Sequence, residues 1–161
     1  MENLISNLND CLDFFKLPEI EYEEQTGFEV RSSITQTMVQ MLNSGKLDRT
    51  KGKMEIKALD TKFWTCNEAD WKKIIAYDWT DEKKYVTEQY DCDNFAFNFK
   101  ARVARKFGVN SVGLVIDYSG GHAYNLIVFS DGTWKIFEPQ SDRWPTLGTG
   151  QYKFEDGFIL I

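Results

Sequence analysis

The sequence predicts an α+β fold, with a helix packed on an antiparallel sheet. Three observations carry this. Phe95, Phe99, Val103 and Phe107 recur every fourth residue, and Gly108 then stops the pattern. Strand-like runs follow: "SVGLVIDY", "AYNLIVF", "TWKIFEP" and "FEDGFILI". Asp131-Gly132 between two of them is a hairpin signal, so the runs form a meander rather than a repeating βαβ pattern.

Upstream elements are read in order. Leu4, Leu8, Leu12 and Phe15 fall at helical spacing with Ile5 beside them, and Pro18 ends that helix. "EIEYEEQTG" is an acidic connector. "SSITQTMVQMLNSGKL" predicts a short helix from Ser32 or Ser33 to Gly45. "LDRTKGKMEIKAL" is polar and basic and is expected as a loop or hairpin. "NEADWKKIIAYDW" predicts a helix capped by Asn67, with Glu68 and Asp70 in its first turn. "DEKKYVTEQY" then leads into Cys92. The expected organisation is one domain over residues 1–161. Residues 1–60 form a helical or irregular extension, and 61–161 form the core.

The chain has 161 residues, a net charge of -6 and a pI near 4.9. An acidic chain without a basic run excludes nucleic acid and anionic membranes as expected partners. No apolar run approaches the ~20 residues that span a bilayer. The N-terminus lacks the basic start and apolar block of a signal peptide. Three cysteines, Cys11, Cys66 and Cys92, do not make a disulfide framework. The expected location is cytoplasmic or particle-associated. Nothing in the sequence fixes the oligomeric state.

Two stretches carry chemistry. In "YDCDNFAF", Cys92 stands at the start of a helix, where free amides and the helix dipole favour a thiolate. Asp91 and Asp93 oppose that by charge. These carboxylates have three readings: a helix cap, ligands for a divalent cation, or a hold on a cationic substrate group. In "GGHAYNLIVFSDGTWKIFEPQ", His122, the only histidine, opens a strand after two glycines. Pairing centred on Asp131-Gly132 sets partners summing to about 263, which brings Glu138 or Gln140 toward the imidazole after a small slip. A carboxylate on Nδ1–H would fix the tautomer and steady the imidazolium.

With these residues in view, "YDCDNFAFNFKARVARKFG" followed by "GGHAYNLIVFSDGTWKIFEPQ" resembles the core of the transglutaminase-like, papain-like cysteine hydrolase superfamily. Glu138 in place of aspartate makes the set similar to the papain-like C-terminal domain of fungal agglutinins. "YDCDNFA" is also similar to the start of NlpC/P60-type cell-wall peptidases. The resemblance covers roughly residues 85–142. It implies a papain-like/transglutaminase-like core and a catalytic Cys92, His122 and Glu138. Its agglutinin variant implies calcium on Asp91 or Asp93.

The expected function is therefore a cysteine peptidase or amidase working through a thioester on Cys92. His122 is the base and Glu138 orients it. The Cys92 amide, helped by Gln89 or Gln140, holds the oxyanion. No cofactor is required, calcium being the one ion the agglutinin likeness allows, and the substrate is a peptide or protein. Trp71, Trp79, Tyr90, Tyr124, Trp134 and Trp144 are the aromatics available to wall a groove. The alternatives are a non-catalytic binding module on the same scaffold, a transglutaminase or acyltransferase, and a zinc site on Cys92, His122 and an acid. Faster labelling of Cys92 by an E-64-type thiol probe separates the activated-thiol readings from the rest.

Overall fold

The computed structural model describes residues 31–35 and 54–161. Strands β1 (Arg31–Thr35) and β3 (Lys62–Thr65) pair antiparallel as a two-stranded sheet. The main sheet has five strands: β2 (Met54–Lys57), β4 (Val112–Asp117), β5 (His122–Val128), β6 (Trp134–Phe137) and β7 (Gly157–Leu160). Their order is β2-β7-β4-β5-β6. Helices α1 (Glu68–Tyr77) and α2 (Cys92–Phe107) precede β4, with a short 3-10 turn at Thr80–Glu82 between them.

The purely antiparallel sheet is corrected. β2 runs parallel to β7, from Met54 opposite Gly157 to Lys57 opposite Leu160, so the sheet is mixed. Its residues come from the stretch expected as a loop or hairpin. They alternate half-buried and exposed, the pattern of an edge strand with one face on the core. Arg31–Thr35 is a strand where the predicted helix should begin. Ser, Ile and Thr are neutral to poor helix formers. The rest of that helix, and the one predicted over residues 1–25, lie outside the described residues. β3 has no counterpart in the sequence reading, because four residues are too few for a period to register.

The two helices follow their signals. Asn67 caps α1 by accepting the Asp70 N–H at 2.9 Å. α2 starts at Cys92 and ends at Gly108, whose φ of 66° suits a residue without Cβ. Its Phe95, Ala96, Phe99 and Val103 are fully buried. Phe99 and Val103 join the sheet's helix-side core, with Trp71, Ile74, Val112, Ile127 and Phe137 among its members. The opposite sheet face buries Phe63, Val115, Tyr124, Leu126, Ile136 and Ile159. Both faces of β5 are covered, so that strand reads as a nearly continuous apolar run. No helix among the described residues is long and apolar enough to cross a membrane.

The β5–β6 hairpin differs from the expectation by one residue. Val128 faces Trp134 and Asn125 faces Phe137. Gly132, at φ 81°, closes a Phe129–Gly132 turn by donating to Phe129 O at 2.9 Å. That is the longer hairpin loop with a left-handed glycine, not the two-residue turn. The slip decides which face Glu138 takes, because side chains alternate along a strand. Continued past its last pair, the register puts Glu138 opposite Tyr124. It therefore lies on His122's face, one step along the diagonal.

Asp117 organises the end of the sheet near His122. Its carboxylate is buried and accepts Gly120 N–H at 2.9 Å, Tyr124 O–H at 3.0 Å, Phe154 N–H at 2.7 Å and the Ser119 hydroxyl. Ser119 Oγ in turn accepts the Glu155 and Asp156 N–H groups. The turn before β5 and the segment before β7 are thus tied to one carboxylate. A Cβ on Gly120 would meet Gln151 O at 1.8 Å, so that close approach requires glycine.

Candidate functional site

Cys92 is the first residue of α2 and is half-buried. Asp91 is its cap. The Asp91 N–H donates to Asn94 Oδ1 at 3.0 Å, and Asp91 Oδ2 accepts the Glu88 N–H at 3.1 Å. Asn125, buried on β5, donates to Ala96 O at 3.0 Å and fixes the first turns of α2 against the strand. The Cys92 thiol lies near the main-chain N–H groups of Ala123 and Asp93, at the start of β5.

Helix-start amides do not dominate this thiol. Burial pushes Cys92 up, the Ala123 and Asp93 amides pull it down, and Asp91 and Asp93 push it up again. The balance is upward, opposite to the lowered thiol expected from helix position alone. Cys66 is fully buried and is pushed up to about 12, by burial first and Asp70 second.

His122 and Glu138 form a close pair: Nε2 lies 2.7 Å from Glu138 Oε2, with both side chains under a tenth exposed. The contact is through Nε2 rather than the expected Nδ1. Glu138 Oε1 accepts the Gln140 main-chain N–H at 3.1 Å, so Gln140 contributes backbone to the pair. Glu138 Oε2 also accepts the Tyr152 O–H at 2.9 Å. Gln89 lies exposed in the 86–90 turn, donating its main-chain N–H to Val86 O at 3.0 Å, and does not hydrogen-bond Cys92, His122 or Glu138. Trp71 and Tyr124 are core residues, and Trp79 lies under the Arg102 guanidinium at 3.7 Å.

Asp91 and Asp93 are hydrogen-bonded to each other. That contact lowers the Asp91 carboxyl and raises Asp93's. Their oxygens and the Cys92 sulfur all lie within 4.8 Å of one another.

Sequence reasoning missed Tyr152 and Asp117. Tyr152 carries no local signal, because it meets Glu138 only through the tertiary fold. Asp117 had one: an aspartate three residues before a glycine pair marks a side-chain-closed turn.

The turn holding Glu138 also contains Asp142, at φ 51°. Burial, then Asp81 and Asp78, raises its carboxyl to about 7. In the unfolded chain it ionises near pH ~4. Between these values the folded state binds the extra proton, so this group's contribution falls as pH rises from ~4 to ~7 and is level above. Asp142→Asn keeps the shape and tolerates positive φ. The variant is expected to melt a few degrees above the wild type at pH 8 and level with it near pH 4, as thermal unfolding at the two pH values will show.

The comparisons bear on this geometry. The model for the ricin-type beta-trefoil lectin C-terminal domain matches residues 25–160. The chain belongs to that family. Among solved structures, the PSL1a–E-64 complex has TM-score 0.58 and 23% identity, over 82% of this chain and 50% of that one. Polyporus squamosus lectin bound to the human-type influenza-binding epitope Neu5Aca2-6Galb1-4GlcNAc has TM-score 0.57 and 20% identity, over 82% and 49%. The chain thus spans about half the length of these structures. No curated protein matches.

Membership in this lectin family overturns the transglutaminase-like, papain-like assignment, its fungal-agglutinin variant included. The papain-like α+β core gives way to a lectin C-terminal domain with a mixed sheet and few helices. The hydrolase and thiol-protease reading falls with it, since the family and both structures are lectin ones. The physical reason is that a cysteine at a helix start beside a histidine on a strand is a local arrangement, and local arrangements recur across families of different function.

Proposed function

We propose that this lectin C-terminal domain is a binding module. Its ligand site lies where the start of α2 meets the start of β5, with Cys92, His122, Glu138 and the Gln140 backbone around it. The observation that carries the reading is the buried His122–Glu138 pair at 2.7 Å, with the half-buried Cys92 thiol near the main chain of Ala123, the residue after His122. Two buried polar side chains held this firmly present fixed hydrogen-bonding groups to a small polar ligand. The raised Cys92 thiol favours a neutral S–H in the resting site. Lectin family membership supports binding over turnover.

The neighbours suggest two ligand classes. PSL1a was solved with E-64, a thiol-directed small molecule, and the Polyporus squamosus lectin with a sialylated trisaccharide. The thiol geometry favours the first class for this half of such a protein. Calorimetric titration with each compound tests it. E-64 is expected to bind the wild type and fail with Cys92→Ser, while the trisaccharide produces no heat at this site. Trisaccharide binding lost in Cys92→Ser would favour a sugar site instead, and no E-64 binding would refute the proposal.

Asp91 and Asp93 fit a calcium ion: they offer hard carboxylate oxygens within 4.8 Å of one another. A bound cation would place positive charge beside the thiol. Calcium is then expected to speed Cys92 alkylation at pH 7 by about tenfold, since a nearby opposite charge moves a pKa by 1–3 units. Equal rates in calcium and in EDTA would remove it from the account.

A further inference from the structure

Glu138 is the hub of the site, and it meets more than His122. One oxygen, Oε2, takes both His122 Nε2 at 2.7 Å and Tyr152 Oη at 2.9 Å. A carboxylate can only accept, so both partners donate. The other oxygen takes the Gln140 N–H. The Tyr152 ring stands edge-on to His122, centroids 5.4 Å apart at 74°, and edge-on to Tyr124 at 5.1 Å. It therefore walls the imidazole as well as pinning its carboxylate.

Tyr152 is itself held from both sides. Its N–H donates to Thr149 O at 2.9 Å, and its carbonyl accepts the Gly148 N–H at 2.7 Å. Two residues on, Phe154 N–H is fixed to Asp117. Burial, and donation to Glu138, favour the protonated phenol over the phenolate.

We infer that Tyr152 is a positioning residue of the Cys92 site: its hydroxyl and ring fix Glu138 and His122 so that the imidazole keeps its proton on Nε2 and offers Nδ1 as an acceptor. The inference rests on the ligand-site reading above. Tyr152 acts through Glu138, whose Oε2 its hydroxyl meets. Loss of its hydroxyl leaves Glu138 free to turn and His122 free to exchange tautomers.

The test uses the whole chain, with Tyr152→Phe as the main variant. His122 is the only histidine, so 15N-histidine labelling gives one pair of ring nitrogens. In the wild type the neutral ring is expected as the Nε2–H tautomer. In Tyr152→Phe the two nitrogen shifts should converge toward a tautomer mixture. The rate of E-64 alkylation at Cys92 should fall about 3- to 10-fold, the range set by one hydrogen bond. The pH profile should move, while the melting temperature stays near the wild type because the ring remains. Tyr152→Phe combined with Glu138→Gln should be no worse than Glu138→Gln alone, since both act through one carboxylate. Unchanged nitrogen shifts in Tyr152→Phe, or additive losses in the double variant, would overturn the inference. If wild-type Cys92 reacts no faster than Cys66, the ligand-site reading is what fails, and the nitrogen shifts still decide the role of Tyr152.

Discussion

Asp117→Ala is expected to destabilise the fold by about 3–5 kcal/mol, the cost of stripping a buried group from its hydrogen-bond network. The carboxylate is 1% exposed. Removing it leaves the Tyr124 hydroxyl and the Phe154 N–H buried without their acceptor. It also frees the Gly120 turn that precedes His122. At about 2–4 °C per kcal/mol for a chain of this size, the melting temperature should drop by about 10 °C. Asp117→Asn is expected to lose less, because its carbonyl oxygen still accepts from one side. Thermal unfolding of the two variants checks the ordering. An alanine variant melting within a degree or two of the wild type would mean that these bonds do not organise the end of the sheet.

The second large effect concerns the thiols. With the Cys66 thiol pushed up to about 12, roughly one molecule in 10⁴ carries that thiolate at pH 8. The side chain is also fully buried. Cys92 is raised too, but it is half-buried, and the nearby Ala123 and Asp93 amides pull its thiol down. In a Cys11→Ser background, iodoacetamide should therefore modify Cys92 faster than Cys66, whose thiol is both fully buried and pushed up to about 12. Peptide mapping of a time course at pH 8 measures the ratio. Comparable rates would show that the fold does not single out Cys92.

Much of the local structure was legible. The Phe95-Phe99-Val103 series and Gly108 defined α2, and Asn67 with its first-turn acids defined α1. The strand runs after residue 110 were readable because buried strands are continuous apolar segments. The mixed sheet was not, because β2 is an edge strand with only two half-buried side chains and pairs across about a hundred residues of chain. The hairpin register missed by one residue because Asp131-Gly132 fits either of two turn geometries, and only packing chooses between them.

The site was legible in part, for a stated reason. Cys92, His122 and Glu138 could be singled out because each stands at the end of a predictable element. Gln140 could be singled out too, although it meets Glu138 through its main-chain N–H rather than its side chain; Tyr152 could not, because it meets Glu138 only through the tertiary fold. Family and function were misread at the same point. A cysteine at a helix start and a histidine at a strand start suggest a hydrolase core, whereas the pattern over residues 25–160 is that of a lectin C-terminal domain. A few chemistry-bearing residues constrain local geometry, but not what the protein does with it.

If the meeting point of α2 and β5 is a ligand site, a crystal structure of the E-64-treated chain will hold one ligand, bonded to Cys92 Sγ, with polar groups within hydrogen-bond distance of His122 or the Gln140 backbone. A ligand bonded to another cysteine, or an unmodified Cys92 under full E-64 exposure, would contradict it.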